Sequence, residues 1–291
     1  MRDFDFAAPD SLDAAVQLLA KNKGKARPLA GGTDLIDYLR TGRLSADLVV
    51  DLKRIPELNV LEVTQQGLRL GAAVPCYRIY EHPEIGTHFA ALVDACSIIG
   101  GIQIQSRASV GGNLCTSGPA ADSTPALIAL GAQCVIASAS GSRTLPVEQF
   151  CTGPSQNVLQ PGEILQEVTI PLPEADSGSH YRRFIPRNEM DIAVVGVGAS
   201  VTVKGGQISN ARIGLGAVAP HPLFAEDVSN WIVNQPASDA TYIEAGQRAR
   251  KIISPIDDHR GTAEFRTHVT GVLVERVLRE AVQRAESGTA G

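Results

Sequence analysis

Apolar residues in the first part of the chain recur at helical spacing. Leu12, Ala15, Val16 and Leu19 fall on one face behind an Asp10/Ser11 cap, which predicts a helix over residues 11–20. An extended piece over 27–30 then runs into Gly31-Gly32-Thr33-Asp34. A second helix is predicted over 35–41, stopped by Gly42, and 48–52 reads as a buried strand. Strand, glycine turn, helix and strand together make a small α/β unit. The period then changes to two: 60–63 and 68–70, joined by a turn over 64–67, predict a hairpin. A helix is expected over 89–99, ending at Gly100-Gly101, and another over 125–130, with Pro125 at its first position, a cap at Ser123 or Thr124, and a close at Gly131. A second hairpin is expected over 134–137 and 141–145, and a strand over 164–170. The polar, glycine-containing stretch 174–179 reads as a linker. Beyond it, 193–203 and 208–218 read as strands turning at Lys204-Gly205-Gly206, and two helices follow the break at Pro220 and Pro222. The last covers about 262–285, with Phe265, Val269, Val272, Leu273, Leu278 and Val282 along a side that reads as core. No internal repeat is visible.

Composition narrows the class. At 44% hydrophobic and 20% charged, the 291-residue chain reads as soluble and globular, and aromatics at 4% point to an aliphatic core. A net charge of -5 and the lack of a basic block remove the basis for nucleic-acid binding. No stretch has the length of a membrane span, and the N-terminus lacks a signal-peptide layout, so a cytoplasmic protein is expected. Cys76, Cys96, Cys115, Cys134 and Cys151 are evenly scattered with no CxxC, which reads as reduced packing thiols rather than a disulfide framework or a metal cluster. The histidines form no metal-binding pattern, so no metal site is expected. There is no GxSxG elbow and no Walker A loop. Residues 214–219 fit GxGxxA, but Pro220-His221-Pro222 forbids the helix that a dinucleotide fingerprint requires. No catalytic acid, base or nucleophile stands out.

What remains is a pair of glycine turns, one over Ala30-Gly31-Gly32-Thr33-Asp34-Leu35 and one over Ser109-Val110-Gly111-Gly112-Asn113-Leu114. Each is open to two readings: a tight turn, or an anion-binding nest in which consecutive N–H groups point one way and Thr33 or Ser109 adds a hydroxyl. Two such loops suit the two phosphates of one pyrophosphate. Asp34 would repel phosphate at close range, so the contacts should come from the backbone of 31–33, with Asp34 turned aside to cap a helix or meet a hydroxyl. Asp122, just ahead of a predicted helix, is either a second capping acid or an acceptor for ribose hydroxyls.

These segments, taken in order, resemble the FAD-binding medium subunit of the molybdenum hydroxylases, the xanthine dehydrogenase and carbon monoxide dehydrogenase family. The resemblance rests on the AGGTDL loop at 30–35, on SVGGNL with PAADS at 109–123, and on GEIL at 162–165. It extends to the basic stretch running into DIA at 182–193 and to DHRGTAEFR at 258–266. It implies an α+β chain: a vanillyl-alcohol-oxidase-type FAD-binding fold of two α/β subdomains, over 1–54 and 55–175, then a C-terminal domain over 179–291 with an antiparallel sheet and helices. It also implies that Leu29 to Leu35 (Leu29, Ala30, Gly31, Gly32, Thr33, Asp34, Leu35) and Ser109, Gly111, Gly112 and Asn113 hold the pyrophosphate of FAD. Asp122 would serve the ribose or adenine side, and Leu165 would pack near the flavin ring. Arg183 falls where some relatives have a lysine near the flavin, and Tyr181 is a lesser candidate for ring contact. The implied activity is electron transfer: electrons arrive from a [2Fe–2S] subunit and leave to an external acceptor. The molybdopterin cofactor and the [2Fe–2S] clusters would be carried by separate large and small subunits, in a dimer of heterotrimers. A cofactor-free interaction module with the same fold and a free-standing flavin reductase are the alternatives.

Overall fold

A computed structural model describes residues 2–22 and 24–288. The chain opens with β1 (Asp5–Ala7), α1 (Leu12–Lys21), β2 (Ala26–Leu29), α2 (Leu35–Thr41) and β3 (Leu48–Asp51), and the three strands form a parallel sheet in the order β1-β3-β2. The Ser11 hydroxyl caps α1 by accepting the Ala14 N–H, and Ala15, Val16 and Leu19 are buried as their spacing predicts. Gly42 ends α2 at a φ of 75°. Strand β1, at three residues, is too short to declare itself by periodicity.

A second sheet runs β4-β5-β10-β6-β7, from β4 (Leu61–Thr64), β5 (Gly67–Gly71), β6 (Gln133–Ser138), β7 (Gly141–Pro146) and β10 (Ile164–Pro171), with every neighbouring pair antiparallel. Both predicted hairpins are present. A two-stranded ladder of β8 (Cys151–Gly153) and β9 (Gln156–Asn157) precedes β10. Between β5 and β6 lie α3 (Cys76–Tyr80), α4 (Pro83–His88), α5 (Ala90–Cys96), α6 (Ile102–Gln105), α7 (Val110–Thr116) and α8 (Ser123–Ala129). The helix expected over 89–99 is the shorter α5. Helices α3 and α4 escaped the sequence reading because Pro75 and Pro83, which look like breakers, sit at their N-terminal positions, where proline is tolerated. Helix α8 begins at Ser123, so Pro125 stands inside the first turn and not at its first position.

The third sheet is antiparallel, in the order β11-β12-β13-β14, from β11 (Ser177–Phe184), β12 (Val195–Lys204), β13 (Gln207–Gly216) and β14 (Leu223–Phe224). The stretch read as a linker over 174–179 therefore runs into a strand at Ser177, and β11 pairs with β12 along its whole length. Three helices follow where two were expected: α9 (Glu226–Ile232), α10 (Asp239–Ala249) and α11 (Ala263–Ser287). Val269, Leu273, Leu278 and Val282 of α11 are buried on the sheet, whereas Phe265 is exposed and packs edge-on against Phe184. Asp258 and Arg266, the ends of the DHRGTAEFR segment, form an ion pair at 2.7 Å, and Arg266 also donates to the Val194 carbonyl at 2.6 Å. That segment fastens α11 to the sheet.

Helix α8 is the piece that joins the second and third sheets. Gly196 pairs with Gly216 and Gly198 with Gly214 across β12 and β13, leaving a patch of sheet without side chains. Pro125 lies on it: a Cβ at Gly198 would come within 2.6 Å of the Pro125 carbonyl oxygen, one at Gly216 within 2.8 Å of the Pro125 ring, and one at Gly214 would overlap the same carbonyl. The GxGxxA match at 214–219 is therefore a docking surface for a helix, read from a strand. At the other end of α8, Arg212 of β13 donates to the Ile128 carbonyl at 2.9 Å and pairs with Glu148 at 2.9 Å. Gly214→Ala should cost about 1–3 kcal/mol by overpacking against Pro125. Gly86→Ala, in a helix with open space at that position, should be neutral or slightly stabilising. Chemical denaturation of the two variants checks both.

Candidate functional site

The two glycine segments, far apart in sequence, meet in the structure. Gly31 lies so close to the Arg107 carbonyl that a Cβ there would overlap it, and the Thr116 hydroxyl at the end of α7 donates to Asp34 Oδ2 at 2.9 Å. Asp34 occupies the position ahead of α2 but makes no side-chain cap. Of the two roles expected for it, the structure shows the hydroxyl contact. Gly32 has a φ of 79°, a left-handed conformation that favours glycine. Leu29 ends β2, Ala30 packs against the core that includes Ala15, Val16 and Val50, and Leu35 opens α2. Among the described residues, the backbone N–H groups of Gly31, Gly32, Thr33 and Asp34 have no acceptor.

The second segment differs from its expected form. Gly111 and Gly112 are inside α7 rather than in a turn, with Ser109 as the cap: its hydroxyl accepts the Gly112 N–H at 3.0 Å. Gly111 is glycine because β5 ends against it, so that a Cβ would collide with Ala72. At Gly112 a Cβ would meet only the Ser109 hydroxyl, at 3.1 Å, and that side of the helix is open. The N–H group of Gly111 also lacks an acceptor among the described residues, whereas Val110 follows the residue that bridges to Pro75 and faces the Val74 carbonyl. Asn113 holds the start of α8 by accepting from the Ser123 hydroxyl at 2.6 Å. A run of unsatisfied backbone donors on two abutting glycine segments, with no side-chain bulk over Gly112, fits the phosphates of a dinucleotide.

Asp122 sits at the start of α8 without capping it, and it is buried at 8% exposure. The Tyr181 hydroxyl donates to its Oδ1 at 2.8 Å and Arg183 Nη1 to its Oδ2 at 2.7 Å. Both donors come from β11, where alternate residues share a face, and a Cβ at Gly196 would come within 2.6 Å of the Tyr181 hydroxyl. Burial raises the Asp122 carboxyl to about 6, against the opposing pull of the Arg183 charge and the hydrogen bonds from Tyr181 and Arg183. Burial also holds the Tyr181 phenol well above its usual value, so it stays a donor. Leu165 is buried in β10, which packs against α7. Burial pushes the Cys115 thiol up to about 12, so it carries no thiolate at neutral pH. A cleft of about 760 Å³ opens beside Tyr181 and Arg183 and is bounded by residues 97–105; the two glycine segments do not line it.

Sequence reasoning missed Arg107 and Thr116, whose roles are contacts to the first glycine segment across 76 and 82 residues. It also missed that Tyr181 and Arg183 share one partner. Nothing local marks such pairings; the alternation of Tyr181 and Arg183 was the one available hint.

Residues 2–173 match the family model for the FAD binding domain in molybdopterin dehydrogenase, and residues 180–281 match that for the CO dehydrogenase flavoprotein C-terminal domain. The xanthine dehydrogenase FAD-binding subunit of Escherichia coli O157:H7 is 31% identical, over 97% of this chain and 98% of that protein. The carbon monoxide dehydrogenase medium chain of Afipia carboxidovorans is 30% identical, over 98% of each. Among solved structures, a chain of reconstituted CO dehydrogenase from Oligotropha carboxidovorans superposes with a TM-score of 0.94 at 29% identity, covering 97% of this chain and 99% of that one.

The Asp122 cluster makes stability depend on pH with a definite sign. Its folded value, about 6, lies above the ordinary 3.8. Within that window the folded chain binds more protons than the unfolded one. The contribution of this group is therefore complete below the lower value and is lost as pH rises through the upper one. Denaturation across the window should show this decline in the natural protein and its absence in Asp122→Asn.

Proposed function

Because the chain belongs to the family of FAD-binding subunits of molybdopterin dehydrogenases, we propose that it is the electron-transfer subunit of a heteromeric molybdenum hydroxylase. When bound, FAD would supply a two-electron store between a [2Fe–2S] subunit and an external acceptor. The residues of this chain bind and orient. The free N–H groups of residues 31–34, with that of Gly111, hold the pyrophosphate. Thr33 adds a hydroxyl, while Asp34 and Ser109 keep the two segments in shape. Each Asp122 oxygen accepts one hydrogen bond in the structure. A carboxylate has about four lone-pair sites, so Asp122 keeps capacity for a ribose hydroxyl. Leu165 packs near the ring, and Arg183 acts on it electrostatically.

The reading assigns residues 1–54 and 55–175 to the two FAD-binding subdomains and 179–291 to the C-terminal domain. The molybdopterin and [2Fe–2S] centres belong to a large and a small partner subunit, in a dimer of heterotrimers. The relatives named as medium chains support a multi-subunit setting. The observation that carries the proposal is the run of backbone donors without acceptors on two abutting glycine segments.

Gly112→Val tests it, since a Cβ there would meet only the Ser109 hydroxyl, at 3.1 Å, a side chain that can give by a few tenths of an ångström. The purified natural chain should bind FAD, seen as flavin absorbance that co-elutes with the protein. The variant should keep its circular dichroism and melting temperature and bind FAD at least about tenfold more weakly, a difference of about 1.4 kcal/mol. A natural chain that takes up no added FAD, or a variant that binds it equally well, overturns the reading.

A further inference from the structure

A second concavity, of about 390 Å³, lies where β11 runs into the following loop and faces α11. Its walls carry Arg182, Arg187 and Arg276, with Asn188 beside them and Phe184 and Leu273 as apolar lining. No carboxylate lines it, which is unusual for a chain with a net charge of -5. Arg182 and Arg276 are exposed, and their side chains have no ion-pair or hydrogen-bond partner among the described residues. Arg187 donates one Nη2 bond to the Met190 carbonyl at 2.6 Å, and Asp191 stands off from its Nε at 3.7 Å while also facing Arg260. Arg183 reaches the same cavity but is already paired with Asp122.

We propose that this cavity is a binding site for the phosphate group of a phosphorylated small molecule. The chemistry favours phosphate over a single carboxylate. Three guanidinium groups arrive from a strand end, a loop and a helix, which suits an anion with three or more oxygens and more than one charge. A carboxylate is saturated by one guanidinium fork. The concavity favours a compact anion over an extended acidic segment of a partner. Apart from Arg183, none of the residues proposed to hold FAD lines the cavity, so the site is separate from the glycine segments.

The test is calorimetric titration of the full chain, saturated with FAD, with pyrophosphate and with inorganic phosphate at constant ionic strength set by chloride. Saturable binding is expected. Arg182→Ala/Arg276→Ala should weaken it at least tenfold without a change in melting temperature, since both side chains are exposed. Arg182→Lys/Arg276→Lys, which keeps charge but loses the forks, should fall between. Absence of saturable binding, or equal affinity in the alanine variant, overturns the proposal. So does a glutamate-rich peptide that binds as tightly as pyrophosphate and depends on the same arginines, because the surface is then a dock for an acidic protein segment. Flavin absorbance of the same samples reports separately on the FAD reading, and its failure leaves the arginine comparison intact.

Discussion

The docking of α8 on the glycine patch of β12 and β13 is the constraint from which the rest of the arrangement follows. It is a backbone-to-backbone approach, possible only because Gly198, Gly214 and Gly216 present no Cβ to Pro125. The helix is held at both ends by residues of the third sheet: Arg212 takes the Ile128 carbonyl, and Tyr181 and Arg183 take the Asp122 carboxylate. The Ala217 N–H adds a bond to the Pro119 carbonyl at 2.7 Å. Burying an Asp–Arg pair gains little by itself, since desolvation offsets most of the attraction, but it penalises every arrangement in which one partner loses the other. The pair therefore fixes the register of helix on sheet more than it adds to stability.

A second junction works in the same way on the other side of α7. Gly31 abuts the Arg107 carbonyl, and Asp34 takes the Thr116 hydroxyl, so the parallel sheet is joined to the helical insertion at the glycine segment itself. Helix α7 is in turn fixed on β5 through Gly111 and on the start of α8 through Asn113. The candidate cofactor-binding residues lie along this chain of contacts, and the same glycines that let the segments approach also leave their N–H groups uncovered.

This explains why some of the molecule was legible in the sequence and some was not. The hairpins, the cap at Ser11 and the stop at Gly42 are local effects, decided within a few residues, and their patterns carry through. The prolines after the GxGxxA match exclude a dinucleotide fingerprint, yet the reason for its glycines lies far upstream at Pro125 and has no local trace. Gly111-Gly112 was read as a turn because glycine disfavours helices; tertiary contact with Ala72 and the Ser109 cap override that preference. Strand β11 was hidden by its polar, glycine-containing start, since its identity comes from pairing with β12. The candidate site was visible as a set of residues, whereas which of them touch was not.

The division of labour among those residues follows from what each group can do. Phosphates carry charge that does not depend on sequence-specific readout, and backbone N–H groups at glycines meet them without competing side chains. The side chains of the site are accordingly occupied with one another: Ser109 with Gly112, Asp34 with Thr116, Asn113 with Ser123, Asp122 with Tyr181 and Arg183. Arg183 is the instructive case. A guanidinium 2.7 Å from a carboxylate presents a dipole to its surroundings and not a free positive charge, and the field of a dipole falls off faster than that of a lone cation. Its charge is thus tied to the α8 junction through the Nη1 bond to the Asp122 carboxylate. The residue that most resembles a functional cation in the sequence is, in the structure, first a part of the joint that holds the site together.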